Sequence, residues 1–440
     1  MTTFTKPHHQ TPLVFMQLSN PNLIVRCLGW LSLCGMVASI VAVAVVVFLY
    51  LLDAVTVLRF AHPWLLFLLP LAGIGLYFLY EKWGKNTSLG MQLIYNKIQN
   101  PNHEVPHRLA GFILLSTLIT HLFGGSAGRE GTALQMGGGL ANSLGRSLGL
   151  AENQHRILLR MGISAGFGAV FGTPLTGTIF AIEILVVNKI DYKAIVPCLV
   201  SAFLAHWACM ALGVVHTPYH VTPPTNLPYF FSFSGLLFCK IVVASICFGL
   251  VANLFSGLQE SIKTQSKKHI KIAYLIPFVG GLLLIVLTYF LDTKSYLGLG
   301  VNSPNLQDAS IVSSFRPEGV RPFSWFWKLF FTAITLGTGF RGGEVTPLFF
   351  IGASLGNILG AFSHSPPDLM AALGFVAVFA GTNKTPLAGS IMGIELFGFP
   401  FLIYYLSTCF IASWVVKSKN GLIAKKQESK ALRAKRNIKS

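Results

Sequence analysis

Glu130 stands in Phe123-Gly-Gly-Ser-Ala-Gly-Arg-Glu-Gly-Thr-Ala-Leu-Gln-Met136, a glycine-rich stretch of a chain that is otherwise strongly apolar. An ionisable side chain at membrane depth costs roughly 2.5–3.5 kcal/mol on insertion scales, and it is tolerated where it serves a pathway. A second glycine-flanked carboxylate, Glu344 of Gly342-Gly-Glu-Val-Thr-Pro347, follows 214 residues later. An acid at a helix start lies beside unpaired backbone N–H groups and a partial positive charge, the setting that binds anions. The chemistry this suits is the handling of a small ion. When ionised, Glu130 occupies the anion's donors; when protonated, it leaves and the anion enters. The plainer reading is a glutamate buried in a helix cap.

The neighbours of the two acids extend the candidate site. Gly128, Arg129 and Gly131 flank Glu130. Beyond Glu344, the backbone N–H groups of Val345 and Thr346 and the Thr346 hydroxyl can donate to an anion; Thr346 also fits an ordinary N-cap. Glu344 itself either accepts a proton or caps backbone donors between helices. His121 and His206 are single histidines in apolar runs and read as satisfied core residues rather than ligands. One enzyme pattern competes: Gly124-Gly-Ser-Ala-Gly128 fits Gly-x-Ser-x-Gly, the nucleophile elbow, with Ser126 as nucleophile and His206 or His121 as base. At the offset of the repeat, however, Ser126 pairs with Phe340 while Glu130 pairs with Glu344, so duplication kept the carboxylate and not the hydroxyl. Nothing in the pattern asks for a cofactor or a metal.

Composition sets the class. Of 440 residues, 53% are hydrophobic and 11% charged, against about 25% charged in soluble domains. Mean hydropathy is +0.62. Apolar runs over Leu28–Leu52, Trp64–Tyr80, Ile195–Leu212, Leu236–Leu254 and Tyr274–Leu291 approach or reach the roughly 17–25 residues of a spanning helix. The first 26 residues are mostly polar and show no cleavable signal. Seven cysteines without a CxxC pair read as small buried hydrophobes. The net charge of +18 is concentrated: residues 417–440 carry nine Lys/Arg against one Glu, and Lys263, Lys267, Lys268 and Lys271 share one loop. The positive-inside rule accounts for this without nucleic acid, and contact of the tail with anionic lipid fits it too.

The chain is internally duplicated. Thr173-Pro-Leu-Thr-Gly-Thr-Ile-Phe-Ala-Ile-Glu-Ile-Leu185 aligns with Thr385-Pro-Leu-Ala-Gly-Ser-Ile-Met-Gly-Ile-Glu-Leu-Phe397 at seven of 13 positions, at an offset of 212, close to the 214 that separates the two acids. Gly145–Arg160 carries three arginines, whereas the matching Gly360–Ala371 has no Lys or Arg. Unequal basic content favours opposite faces and so inverted repeats, whose broken helices meet at a midplane site. Glu183 and Glu395, at matching positions, read as symmetric hydrogen-bonding groups at helix ends; Gly177, Gly389 and Gly393 permit close helix approach. The expected organisation is a cytoplasmic segment 1–26, a first membrane repeat 27–212, an external linker 213–228, a second repeat 229–416 and a basic cytoplasmic tail 417–440.

At Gly128-Arg-Glu-Gly131 and the two Pro-Leu-x-Gly helices, from about residue 30 to about 416, the sequence resembles the CLC family of chloride channels and anion/proton antiporters. The resemblance implies an all-α polytopic fold of two inverted helical repeats with broken helices. Three departures resemble the fluoride/proton antiporter branch: Met91 where a chloride-coordinating serine falls, Gly343-Glu-Val-Thr-Pro347 in place of Gly-x-Phe-x-Pro, and Thr132 in place of a proline. Met91 offers an anion no strong hydrogen bond; as a core methionine it fills a gap. The branch's C-terminal tyrosine is matched here by Ile423, so Tyr404 or Tyr405 is the candidate hydroxyl donor. Glu183 is followed by Ile184 where chloride antiporters carry the internal proton glutamate, which leaves Glu130 itself as the proton's route inward. The implied activity is fluoride export in exchange for protons, with a chloride antiporter or passive chloride channel of the same fold as the alternative. A homodimer in the inner (plasma) membrane, multi-pass with both termini cytoplasmic, is implied as well.

Overall fold

A computed structural model describes residues 23–84, 86–100, 102–184, 191–222, 234–303, 305 and 307–416. Fifteen α-helices occur among them: α1 (Leu23–Ala61), α2 (Leu69–Lys82), α3 (Met91–Gln99), α4 (Leu109–Leu122), α5 (Glu130–Ser147), α6 (Glu152–Phe171), α7 (Pro174–Glu183), α8 (Ile195–Ala211), α9 (Gly235–His269), α10 (Leu275–Phe290), α11 (Ser324–Gly337), α12 (Val345–Ser363), α13 (Pro367–Asn383), α14 (Pro386–Phe397) and α15 (Leu402–Val415). No ladder of strands accompanies them; the one pairing among the described residues is an isolated antiparallel bridge between Gly128 and Gly343.

Helix lengths follow composition. The 39 residues of α1 rise roughly 58 Å at about 1.5 Å per residue, nearly twice the hydrocarbon core of a bilayer. It tilts through the bilayer or projects beyond it. By contrast α7 and α14 have 10 and 12 residues, too few to cross, and each opens on a proline that suits the first helical position. Such half-helices end inside the fold, where protein rather than lipid must satisfy their backbone.

Five described helical stretches are long and apolar enough to cross a membrane, two of them, Pro63–Lys82 and Tyr192–Ala211, by a 3-10 turn that leads into α2 and α8. Four contain the long apolar runs of the sequence. The fifth run, Tyr274–Leu291, forms the 16-residue α10, and the fifth long apolar helix is instead α12, 78% of whose apolar window is buried inside the fold. A helix apolar on every side belongs inside protein, and hydropathy alone does not separate that from a lipid-facing span. Cysteines divide likewise: Cys34, Cys198, Cys209 and Cys409 are buried, while Cys27 and Cys239 are exposed on outer helical faces. For those two the expectation of burial fails, because an apolar surface needs no cover from protein when lipid surrounds it.

Two halves pack with matched devices. A Cβ added to Gly137 in α5 would lie 2.1 Å from the carbonyl oxygen of Gly162 in α6; one added to Gly352 in α12 would lie 2.0 Å from that of Gly374 in α13. These pairs recur at offsets of 215 and 212, the spacing of the sequence repeat. Glu183, ending α7, accepts hydrogen bonds from Leu387 N (2.9 Å) and Ala388 N (2.8 Å) at the start of α14. Glu395, near the end of α14, accepts from Leu175 N (2.9 Å), Thr176 N (2.8 Å) and Thr176 Oγ1 (2.6 Å) at the start of α7. Each helix thus caps the other's N-terminus. Only antiparallel neighbours can do so, and pseudo-equivalent helices that run antiparallel are the mark of an inverted repeat.

Candidate functional site

Both halves break at glycine where they meet. Gly128 N donates to Gly343 O (2.6 Å) and Gly343 N to Gly128 O (2.7 Å), tying the loops before α5 and α12 together. Side chains would not fit: a Cβ on Gly128 would lie 2.8 Å from Thr346 Oγ1, and one on Gly131 2.8 Å from Gly343 Cα. The glycines therefore hold two helix N-termini within reach of one carboxylate.

That carboxylate is Glu130, 1% exposed. Its side chain leaves the first turn of α5 and crosses to α12. Oε2 accepts from Thr346 N (3.0 Å), from the Thr346 hydroxyl in a very short hydrogen bond, and from Arg129 N (3.2 Å). Oε1 hydrogen-bonds no described group and lies 3.4 Å from Arg129 Nε as an ion pair. One oxygen is thus saturated by donors that suit any anion, while the other has only the Arg129 guanidinium beside it. Arg129 N is also 3.4 Å from Thr346 Oγ1, so these donors converge on one point.

Thr346 is the second residue of α12, after Val345, and the N-cap position belongs to Glu344. This corrects the N-cap reading of Thr346: its hydroxyl serves Glu130 and not its own helix. Glu344 makes no side-chain cap hydrogen bond at its N-cap position and is an electrostatic neighbour of Tyr95 in α3. Gly128, Arg129, Glu130, Gly131, Val345 and Thr346 are therefore gathered at the paired helix starts.

Met91, Tyr404 and Tyr405 do not line the chamber at Glu130. Met91 opens α3 after Gly90, whose added Cβ would meet Gln135 Oε1 at 2.7 Å, and it packs half-buried on the main core. The Tyr404 hydroxyl accepts from Ser234 N (3.2 Å) at the start of α9. Tyr405 is fully buried with its ring under Gly393, and its hydroxyl hydrogen-bonds no described group. Neither tyrosine, both on α15, reaches the chamber at Glu130. Ile423 lies outside the described residues.

The chamber is small and aromatic. Beyond Arg129, Glu130 and Thr346 it is walled by Phe171, Phe349, Tyr219 and His216, with about 10 Å³ open to the centre of a water molecule, room for roughly one. Phe171 and Phe349 meet at 5.2 Å between centroids, and Tyr219 packs on Phe375 at 5.4 Å. None of these four was singled out from sequence. Phe349, three residues after Thr346 on the same helical face, was within reach of periodicity. Tyr219 and His216 belong to the proline-rich linker, which carries no periodic signal.

The hydrolase arrangement is not assembled. Ser126 Oγ bonds Thr332 Oγ1 (2.9 Å), and both ring nitrogens of His121 face carbonyl oxygens, Thr117 O (2.8 Å) and Ala127 O (3.0 Å). His121 is thus a core histidine held between two carbonyls, of which a neutral ring serves one as donor, and it does not meet Ser126. His206 is not so held: its Nδ1 is buried without a described partner, and its ring stacks on His216.

Known proteins share this fold. The family model described as voltage gated chloride channel matches residues 72–417. A "Chloride/fluoride channel protein" of Pseudomonas syringae pv. tomato is 41% identical over 399 residues, which are 89% of this chain and 85% of that relative. An "H(+)/Cl(-) exchange transporter" of Vibrio parahaemolyticus is 26% identical over 313 residues, 67% of this chain and 63% of its own. The crystal structure of a CLC-type fluoride/proton antiporter superposes with a TM-score of 0.83 at 33% identity, covering 90% of this chain and 97% of that one. With two antiparallel halves joined at glycine-broken helix starts, the chain belongs to the voltage-gated chloride channel (CLC) family.

Proposed function

We infer that this protein exchanges fluoride for protons across a lipid bilayer, with Glu130 as the shared gate. One observation carries the reading: the Glu130 carboxylate rests on Thr346 N, Thr346 Oγ1 and Arg129 N, donors that would equally hold a halide. Ionised, it occupies the anion's place; protonated at Oε1, it loses the charge that holds it there, and fluoride takes the vacated donors. Anion and proton occupancy are then mutually exclusive, which is coupling. Glu344 at the start of α12 is the second acidic group, on the Tyr95 side. Fluoride rather than chloride is supported by the fluoride-handling relatives and by Met91, Val345 and Thr132, where the chloride pattern differs. Ile184 in place of an internal glutamate leaves Glu130 to carry the proton inward.

The protein is on this reading a transporter and not an enzyme, with 27–212 and 229–416 as its two repeats. We place it as a homodimer in the cell's inner membrane, both termini cytoplasmic and each subunit with its own pore. Exposed apolar side chains support apolar surroundings, among them Trp207 (58%), Met210 (54%) and Trp414 (85%).

Purified protein in liposomes loaded with fluoride should drive proton uptake as fluoride leaves. Glu130→Gln should abolish that uptake. Chloride efflux equal to fluoride efflux would remove the fluoride reading, and proton coupling that survives in Glu130→Gln would move the gate elsewhere.

A further inference from the structure

We propose that His216, with His206 stacked behind it, relays protons from the linker side of the protein to Oε1 of Glu130. The proposal rests on Glu130 being the group that is protonated. His216 lines the same chamber as Glu130, and its Nε2 is buried without a described partner. The carbonyl of Val170 hydrogen-bonds the ring. With Nδ1–H so committed, Nε2 carries the bare lone pair. A lone pair repels fluoride and attracts a proton, so His216 is suited to the proton and not the anion.

The chamber is narrow, with room for roughly one water. Glu130 presents one unsaturated oxygen, Oε1. His206 extends the line away from the chamber. Its ring lies 5.7 Å from that of His216, centroid to centroid and nearly parallel, with Nδ1 also unpartnered among the described residues. Gly172 makes room for this stack, since a Cβ there would lie 2.5 Å from His216 Cδ2.

The charged and titratable groups facing His216 are His206, Arg129, Glu130 and Tyr219. Burial first, then the His206 and Arg129 charges, push its pKa down to about 4. It therefore rests neutral, and its imidazolium is a ready acid. The step balances. A hydronium ion on the linker side gives its proton to the His206–His216 pair and leaves as water, Nε2 of His216 holds the proton as imidazolium, and Glu130 Oε1 takes it, directly or through the single water. The products are neutral imidazole and a carboxylic acid.

The test uses the full chain in fluoride-loaded liposomes, with fluoride efflux read by electrode and proton uptake read alongside. His216→Ala should slow both fluxes together by about tenfold or more, within the contribution of positioned acid–base groups, and leave their ratio unchanged. Added imidazole should restore the fluoride flux of His216→Ala, because the vacated space admits the free ring. His216→Gln fills that space and should be slow without rescue, which guards against misreading a poorly folded alanine variant. Wild-type speed in His216→Ala, or a loss that imidazole does not restore, overturns the relay. Wild-type protein that moves fluoride without proton uptake would overturn the antiport reading and the relay with it.

Discussion

Glu130 and Thr346 come from opposite halves of the chain, yet one oxygen of the first takes both the backbone and the hydroxyl donor of the second. A hydrogen bond to a charged group contributes about 1.5–3 kcal/mol, and a free-energy difference of about 1.4 kcal/mol is tenfold in affinity. Thr346→Val keeps the backbone N–H and the side-chain shape but removes the hydroxyl. Both occupants of the site then lose a bond, so fluoride affinity should fall by less than the full value, several-fold up to about tenfold. Calorimetric titration with fluoride checks this; unchanged affinity would mean that fluoride does not use the Thr346 hydroxyl. Glycine matters at this scale as well. Gly128 and Gly131 are there because any Cβ would strike Thr346 or Gly343, and neither contact exists until the halves meet.

At the scale of elements, α7 and α14 stabilise each other by exchanging caps. Orphan N–H groups at a helix start must be satisfied within protein where lipid surrounds the fold. Glu395 takes three donors, including the Thr176 hydroxyl, whereas Glu183 takes two, because Ala388 stands where Thr176 stands in the other copy. Glu395→Ala should therefore lower the thermal unfolding midpoint in detergent more than Glu183→Ala, each variant losing on the order of 1.5–3 kcal/mol. The opposite ranking would mean that the two caps differ in burial more than in bonding. The matched glycine pairs of α5–α6 and α12–α13 work alongside, bringing each helix pair to backbone contact.

For the whole molecule, the inverted arrangement fixes which loops share a side. α9 is a single helix from Gly235 to His269, so the linker before it and the lysine-rich stretch at its end lie at opposite ends of one long helix. Val215, 90% exposed, should take a membrane-impermeant thiol reagent from outside as Val215→Cys. Lys267→Cys should label only after permeabilisation, both in a background with the exposed Cys27 and Cys239 replaced. Labelling of both from the same side would break the topology and the assignment of this basic end to the cytoplasm; Lys263, Lys267 and Lys268 lie within α9 and not in the loop expected from sequence, because the helix runs on past its apolar stretch.

Much of this was legible before any coordinates. The repeated acids, the Thr-Pro-Leu helices and the paired Glu183 and Glu395 are local patterns, and their equal offsets already imply two copies of one unit. Periodicity and composition report what a helix is and whether it is apolar. They could not distinguish α12, buried in protein, from a helix that faces lipid, because both are apolar on every side. Nor could they show that Thr346 serves Glu130, that Tyr404 accepts from Ser234, or that His216 and His206 stack beside the chamber at Glu130. The sequence by itself determined the helical membrane class, the duplication and the acid at its centre, since these depend on residue type and spacing along the chain. Only the tertiary structure decided which donors that acid meets and what walls its chamber, since those groups are separated by up to about two hundred residues and become neighbours only when two antiparallel halves close on each other.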